Sequence, residues 1–212
     1  VVVPLSIAGI FVGTIMAIYE RDLKKMLAFS SIAQIGYITL GIGIATSAGI
    51  AAGFIHIGNH ALIKGGLFMA VGGIFLATGS RVSVMSMTGI GRKMPLTATA
   101  FLICGLSLIG LPLTAGFISK LYLVRALLDN DNLVIVGLVL ASSALSVMYL
   151  WKIVEVMWVR PAPVDALEIN ERPALYIPLW IIAIANIWLG LDASWLVGAA
   201  EAAAASLLGA GG

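Results

Sequence analysis

Charge is scarce in this sequence: 10% of the 212 residues are Asp, Glu, Lys or Arg, against 61% hydrophobic. With a mean hydropathy of +1.10, that composition excludes an ordinary soluble domain. Cysteine is almost missing. The single residue, Cys104, lies in an apolar run, which rules out a disulfide framework within the chain and a metal cluster built on cysteines. The short alternating segments of a membrane β-barrel are absent. No basic run points to nucleic acid, and no nucleotide, flavin or iron–sulfur motif occurs, so neither a metal nor any cofactor is expected in this chain. What is plentiful is apolar stretches of about 20 residues, the length that crosses a bilayer. The expected fold is all-α, a polytopic transmembrane helix bundle of about six membrane helices, one of them broken. The chain opens Val-Val-Val-Pro, with neither an initiating Met nor a signal pattern, and is expected to be a fragment cut at its N-terminal side.

The apolar segments fall at Val1 to Tyr19, Met26 to about Ala45, Gly49 to Gly79, Leu96 to Leu128, Leu133 to about Val159, and Leu175 to Leu191. The fourth is too long for one straight crossing, since at ~1.5 Å per residue it would reach roughly 50 Å against a hydrocarbon core of ~30 Å. Its middle reads Gly110-Leu-Pro112-Leu-Thr-Ala-Gly116, and proline and glycine together predict a break there. The connections at 78–95 and 160–174 read as polar loops, the latter holding Pro161, Pro163 and Pro173. The Ala/Gly-rich tail from Ala199 to Gly212 is assigned no structure. Counting the broken segment as one crossing puts Arg21, Lys24, Lys25, Arg81, Arg92, Lys93, Arg160 and Arg172 on one side and Asp129 and Asp131 on the other. The positive-inside rule makes the first side cytoplasmic and leaves the tail outside.

Against this apolar background stand His56, His60 and Lys64, four residues apart and therefore on one helical face. An ionisable group at membrane depth costs on the order of 3 kcal/mol or more, so it normally lines a water path or pairs with another such group. Histidine both takes up and releases protons near neutral pH, and a desolvated lysine releases its proton more readily than a solvated one. The row reads as part of a proton route; the alternative is packing residues bonded to neighbouring helices. Lys120, eight residues past Pro112, joins it as a site beside a helix break, with snorkelling from a helix end as the alternative. Lys24 alone reads as an interfacial anchor. Lys152 with Glu155, and Arg125 with Asp129, read as ion pairs near the interfaces. Ser30, Ser31 and Gln34 are placed to hold water near Lys24, or to bond back to their own helix.

As a set these residues resemble a known family. Asp22-Leu-Lys24-Lys25-Met-Leu-Ala-Phe-Ser30-Ser31-Ile-Ala-Gln34-Ile-Gly36-Tyr37, then His60-Ala-Leu-Ile-Lys64, then Gly110-Leu-Pro112-Leu-Thr-Ala-Gly116-Phe-Ile-Ser-Lys120 resemble, in order, motifs of the antiporter-like proton-pumping membrane subunits. These are shared by respiratory complex I, membrane-bound hydrogenases and Mrp-type cation/proton antiporters. The wording Gly91-Arg92-Lys93-Met94-Pro95 with Phe117-Ile-Ser-Lys120-Leu-Tyr looks most like the D-type subunit of Mrp antiporters, with a complex I subunit close behind. The resemblance implies a hydrated relay through Lys24, His56, His60, Lys64 and Lys120, with Gly110, Pro112 and Gly116 forming the break. It implies that Lys24 is a connecting lysine and that a glutamate stands at the position of Lys120 in some subunits. It further implies that residues 1–160 are the second of two inverted repeats, that 161–212 hold a trailing helix and tail, and that the first repeat is missing. The partners implied are other membrane subunits, the lipid bilayer, protons and sodium or potassium; the implied location is a bacterial inner membrane. A purely structural membrane scaffold is the remaining alternative.

Overall fold

The computed structural model describes residues 1–79, 82–161 and 171–209, so Arg81 and Pro163 lie outside the described residues. Among the described residues the helices are α1 (Val2–Tyr19), α2 (Leu23–Gly43), α3 (Ser47–Thr78), α4 (Ile90–Lys93), α5 (Pro95–Ile109), α6 (Ala115–Leu128), α7 (Leu133–Val154), α8 (Pro173–Leu191) and α9 (Ser194–Leu207). α7 continues through a π-helical turn, Glu155–Val159. Helices follow from the solvent: in hydrocarbon every backbone N–H and C=O needs an internal partner. The boundaries are set locally. The Asp22 carboxylate accepts the Lys25 amide at 3.1 Å, and the Thr46 hydroxyl accepts the Gly49 amide at 3.1 Å. α3 stops at Gly79, whose φ of 65° suits glycine, and Pro95 opens α5, where its missing N–H costs nothing.

By length and apolarity α1, α2, α3, α7 with its π turn, and α8 can each cross a membrane. α5 and α6 have 15 and 14 residues. At about 22 and 21 Å each falls short of a ~30 Å core; they flank the expected break at 110–114, and the sixth candidate span pairs α5 with the preceding segment Met85–Lys93 across a bend. Lys152 and Glu155 do not pair with each other. The Lys152 ammonium caps the end of α1 through the carbonyls of Ile18 and Glu20, at 3.2 and 2.8 Å, and Glu155 pairs with Arg160 at 3.0 Å. A lysine stem reaches across to a helix C-terminus more readily than to a carboxylate pointing elsewhere on a π turn. Nor do Arg125 and Asp129 pair; with Glu201 they line a recess at the C-terminal end of α6.

Two further expectations are corrected. The polar loop expected at 78–95 is in part a buried plug. Val82, Val84, Met87, Ile90 and Met94 are core residues there, and the backbone of Val82 and Val84 bonds the start of α2 at Leu23 and Arg21. Its apolar residues are interleaved with serine and glycine, which hid them. This segment meets α5 at 113°. The tail is likewise not structureless: α9 covers 194–207 and packs against α3, with Ala200 and Ala204 buried.

α3 is the pillar of the bundle, packed by α2, α5, α6, α8 and α9, while α1 lies on α2 and α7. Between lipid-immersed helices close packing replaces water exclusion as the driving force, so small residues mark the contacts. At Gly13 a Cβ would stand 2.6 Å from the Ala33 amide nitrogen, so only glycine lets α1 sit so near α2.

Candidate functional site

On α2, Leu27, Ser30, Gln34 and Tyr37 share one face by their spacing of three and four. α3 runs alongside and presents Lys64, His60 and His56 to it, so the two rows meet rung by rung. At one end the Lys64 ammonium donates to the Leu27 carbonyl at 2.7 Å and to the Ser30 hydroxyl. At the other, the His56 ring lies between Gln34 Oε1, 3.0 Å from Nε2, and Ser119 Oγ of α6, 2.8 Å from Nδ1. Between them the His60 ring stacks on His56, centroids 6.4 Å apart and planes 6° from parallel, and its Nε2 is buried without a partner. Ser119 donates its own proton to the Gly116 carbonyl. It therefore accepts from His56, and with Gln34 Oε1 facing the ring both nitrogens donate. Turning the Gln34 amide over would let it donate to a neutral ring instead, so the pocket suits both charge states.

The break completes the site. α5 ends at Gly110 (φ 93°), and Leu113 is also held at positive φ, 71°, an unusual conformation for a branched residue. A helix end leaves its last four carbonyls without intrahelical partners. Here those of Leu106 and Ser107 accept the Gly110 amide, and that of Leu106 also the Leu111 amide. Those of Leu108 and Ile109 accept the Lys120 ammonium, at 3.2 and 2.6 Å. The ammonium also donates to Ser143 of α7 at 3.1 Å and sits 5.0 Å over the Tyr37 ring. A cation is favoured there by the negative end of the helix dipole. The start of α6 is braced from two sides. Gly116 N donates to Ser107 Oγ, which donates to Asn186 of α8, and the Asn59 amide of α3 donates to the Ala115 carbonyl at 2.6 Å.

Lys64 and Lys120 are 6% and 7% exposed, and neither makes an ion pair among the described residues. Each is held only by carbonyl and hydroxyl oxygens and, for Lys120, an aromatic face. Lys120 does not snorkel; its amine points into the break. The structure thus sets the buried His56, Lys64 and Lys120 and the half-buried His60 in one row, with Gly110 packed at its Lys120 end and Pro112 exposed in the break. It does not join Lys24, which is exposed and lies 4.7 Å over the Phe75 ring, in a recess shared with Asp22, Lys25 and Val82. Ser30 and Gln34 serve Lys64 and His56 rather than Lys24, while Ser30 and Ser31 both bond back to the Leu27 carbonyl. Tyr37, Ser119, Asn59, Ser107, Asn186, Ser142 and Ser143 are polar participants whose roles single-helix spacing does not reveal, since each acts across helices.

A helix bundle of membrane-spanning length that buries a row of uncompensated amines and imidazoles against a broken helix defines a polytopic membrane protein with a protonatable polar axis. The chain belongs to the NADH:quinone oxidoreductase/Mrp antiporter transmembrane family, which it matches over residues 1–146. It is 40% identical over 200 residues to NADH-quinone oxidoreductase subunit N of Desulforudis audaxviator, covering 88% of this chain and 40% of that one. It is 34% identical over 151 residues to the D-type subunit of the Na(+)/H(+) antiporter of Alkalihalophilus pseudofirmus, covering 70% of this chain and 30% of that one. Its fold overlays the Mrp complex of Dietzia sp. DQ12-45-1b with a TM-score of 0.87 at 25% identity, over 97% of this chain and 46% of that one. The chain therefore spans less than half the length of these relatives.

Proposed function

We propose that this chain is the part of a proton-translocating membrane subunit that carries protons along Lys64, His60, His56 and Lys120, within a multi-subunit cation/proton antiporter. The observation that carries the reading is the Lys120 amine seated on the open carbonyls of Leu108 and Ile109, in line with the imidazole row. Like charges along the row repel, so a proton arriving on one group favours release from the next. Lys24, exposed beside Phe75, stands at the cytoplasmic mouth and feeds the row. Residues 1–160 form the conducting unit, and the helices after 161 brace it through Asn186. The membrane is a bacterial inner membrane, and the partners are other membrane subunits.

The motif wording and the overlay on the Mrp complex support the antiporter, with the D-type subunit as its counterpart. The 40% identity to a subunit N supports a second reading, a pump subunit of an NADH:quinone oxidoreductase, in which a redox arm drives the same row. Everted vesicles carrying the intact complex, from cells without other sodium/proton antiporters, separate the two. Collapse of an imposed pH gradient on adding sodium or potassium, lost in Lys120→Ala, establishes the antiporter. Proton pumping on NADH with no response to either cation establishes the oxidoreductase. Normal activity in both Lys64→Met and His60→Ala would leave only a structural scaffold.

A further inference from the structure

The histidine row uses one flank of α2; α7 faces the other. There Ser142, Ser146 and Tyr149 recur at helical spacing, and all three are buried. They run antiparallel to α2, so that Tyr37 meets Ser142 and Ser30 meets Tyr149. Tyr37 Oη and Ser142 Oγ share a hydrogen bond of 2.6 Å, Ser143 Oγ is 3.4 Å from the same phenol oxygen, and Ser143 accepts from Lys120. At the far end Lys64 donates to Ser30. Tyr149 Oη is buried and bonded to nothing, with Ser30, Ser146 and Tyr37 as its polar neighbours. Gln34 Nε2, one turn along α2 from Ser30, is also buried and unbonded. A buried hydroxyl without a partner is costly and rarely retained without a use, and a polar site with several such groups suits bound water. Ser142 and Ser146 rest their O–H protons on the carbonyls of Val139 and Ser142 of their own helix, at 2.9 and 3.0 Å. Lys64 and Lys120 are thus connected along α7 by hydroxyls bonded to one another at the Lys120 end and separate in the middle.

We propose that a second proton lane runs along α7, from Lys64 through Ser30, Tyr149, Ser146, Ser142, Tyr37 and Ser143 to Lys120, in parallel with the histidines. This rests on the relay reading above. Each serine turns its O–H off the backbone carbonyl that holds it and towards the next hydroxyl, accepting a proton on a lone pair as its own proton passes on, so no charge stays on any of them. Tyr149 is the switch point, because its free O–H turns towards Ser30 or Ser146 without breaking an existing bond. A serine or phenol hydroxyl conducts without holding a proton, whereas a histidine stores one; the two lanes differ in kind.

The test is proton flux in vesicles bearing the intact complex, with Tyr149→Phe, His60→Ala, the double variant and Lys120→Ala compared at equal assembled amounts. Tyr149→Phe removes one unbonded oxygen, so the complex assembles as before. With one lane still open, flux falls about twofold in Tyr149→Phe and in His60→Ala, and disappears in the double variant. Unchanged flux in Tyr149→Phe, alone and on the His60→Ala background, overturns the lane while Lys120→Ala still abolishes transport. Full flux in Lys120→Ala overturns the relay itself, and the lane with it. If Tyr149→Phe lowers assembly, Ser142→Ala replaces it, with the same expectations.

Discussion

At the scale of single residues, the two buried lysines differ in what else they do. Lys64 hangs from a carbonyl and a hydroxyl in mid-helix, whereas Lys120 also completes the end of α5. Lys120→Ala is therefore expected to abolish transport and to lower the thermal stability of the purified complex by about 1–3 kcal/mol, the cost of leaving buried acceptors unpaired. Lys64→Met, whose apolar chain fills the same space, is expected to abolish transport with a smaller stability loss; thermal unfolding of both variants beside vesicle flux checks the contrast. Lys24→Ala, at an exposed position, is expected to slow transport without abolishing it. The histidine row was legible in the sequence because charge stands out in an apolar helix and a spacing of four fixes the face. Tyr37, Ser142 and Ser143 were not. A lone hydroxyl in an apolar helix usually bonds back to its own backbone, and the partner of Tyr37 lies more than a hundred residues away on α7.

At the scale of elements, the break depends on backbone fit. Gly110 sits at φ 93°, and a Cβ there would come within 2.9 Å of the Lys120 side chain. Gly110→Ala is expected to cost about 1 kcal/mol in backbone strain and to dislodge Lys120, reducing flux although no protonatable group is changed. Gly190 of α8 presses on the Leu113–Thr114 backbone, with no room for a Cβ. Gly190→Val is expected to push α8 away and to lower both assembly and flux, read by native electrophoresis and vesicle assay. The break itself was legible, because Gly-Leu-Pro cannot continue as regular helix inside a run already too long for one crossing. α9 was not, because Ala and Gly carry little pattern and its burial comes only from meeting α3. The 82–94 plug was missed for the same reason: its residues look like a loop until α2 and α7 supply the other wall.

At the scale of the molecule, the number of membrane-length helices followed from segment length, and the side on which basic residues gather predicts the orientation. Ser83 and Asn130 lie at opposite ends of the bundle, both outside the spans. Cysteine placed at either is expected to react with an impermeant thiol reagent from opposite faces, Ser83→Cys from the cytoplasmic side. Native Cys104 is buried and leaves no background; labelling of both from one side would refute the topology. Leu5, Val12, Met16 and Tyr19 face outward along α1, a surface for lipid or for a neighbouring subunit.

The seat of Lys120 also bears on how such proteins diverge. An amine can rest against two carbonyl oxygens; a carboxylate cannot, unless it carries a proton. A descendant that exchanged this lysine for glutamate would meet repulsion from the end of α5 until that end was recapped. The residue and the half-helix terminus behind it therefore form one heritable unit, expected to change together or not at all.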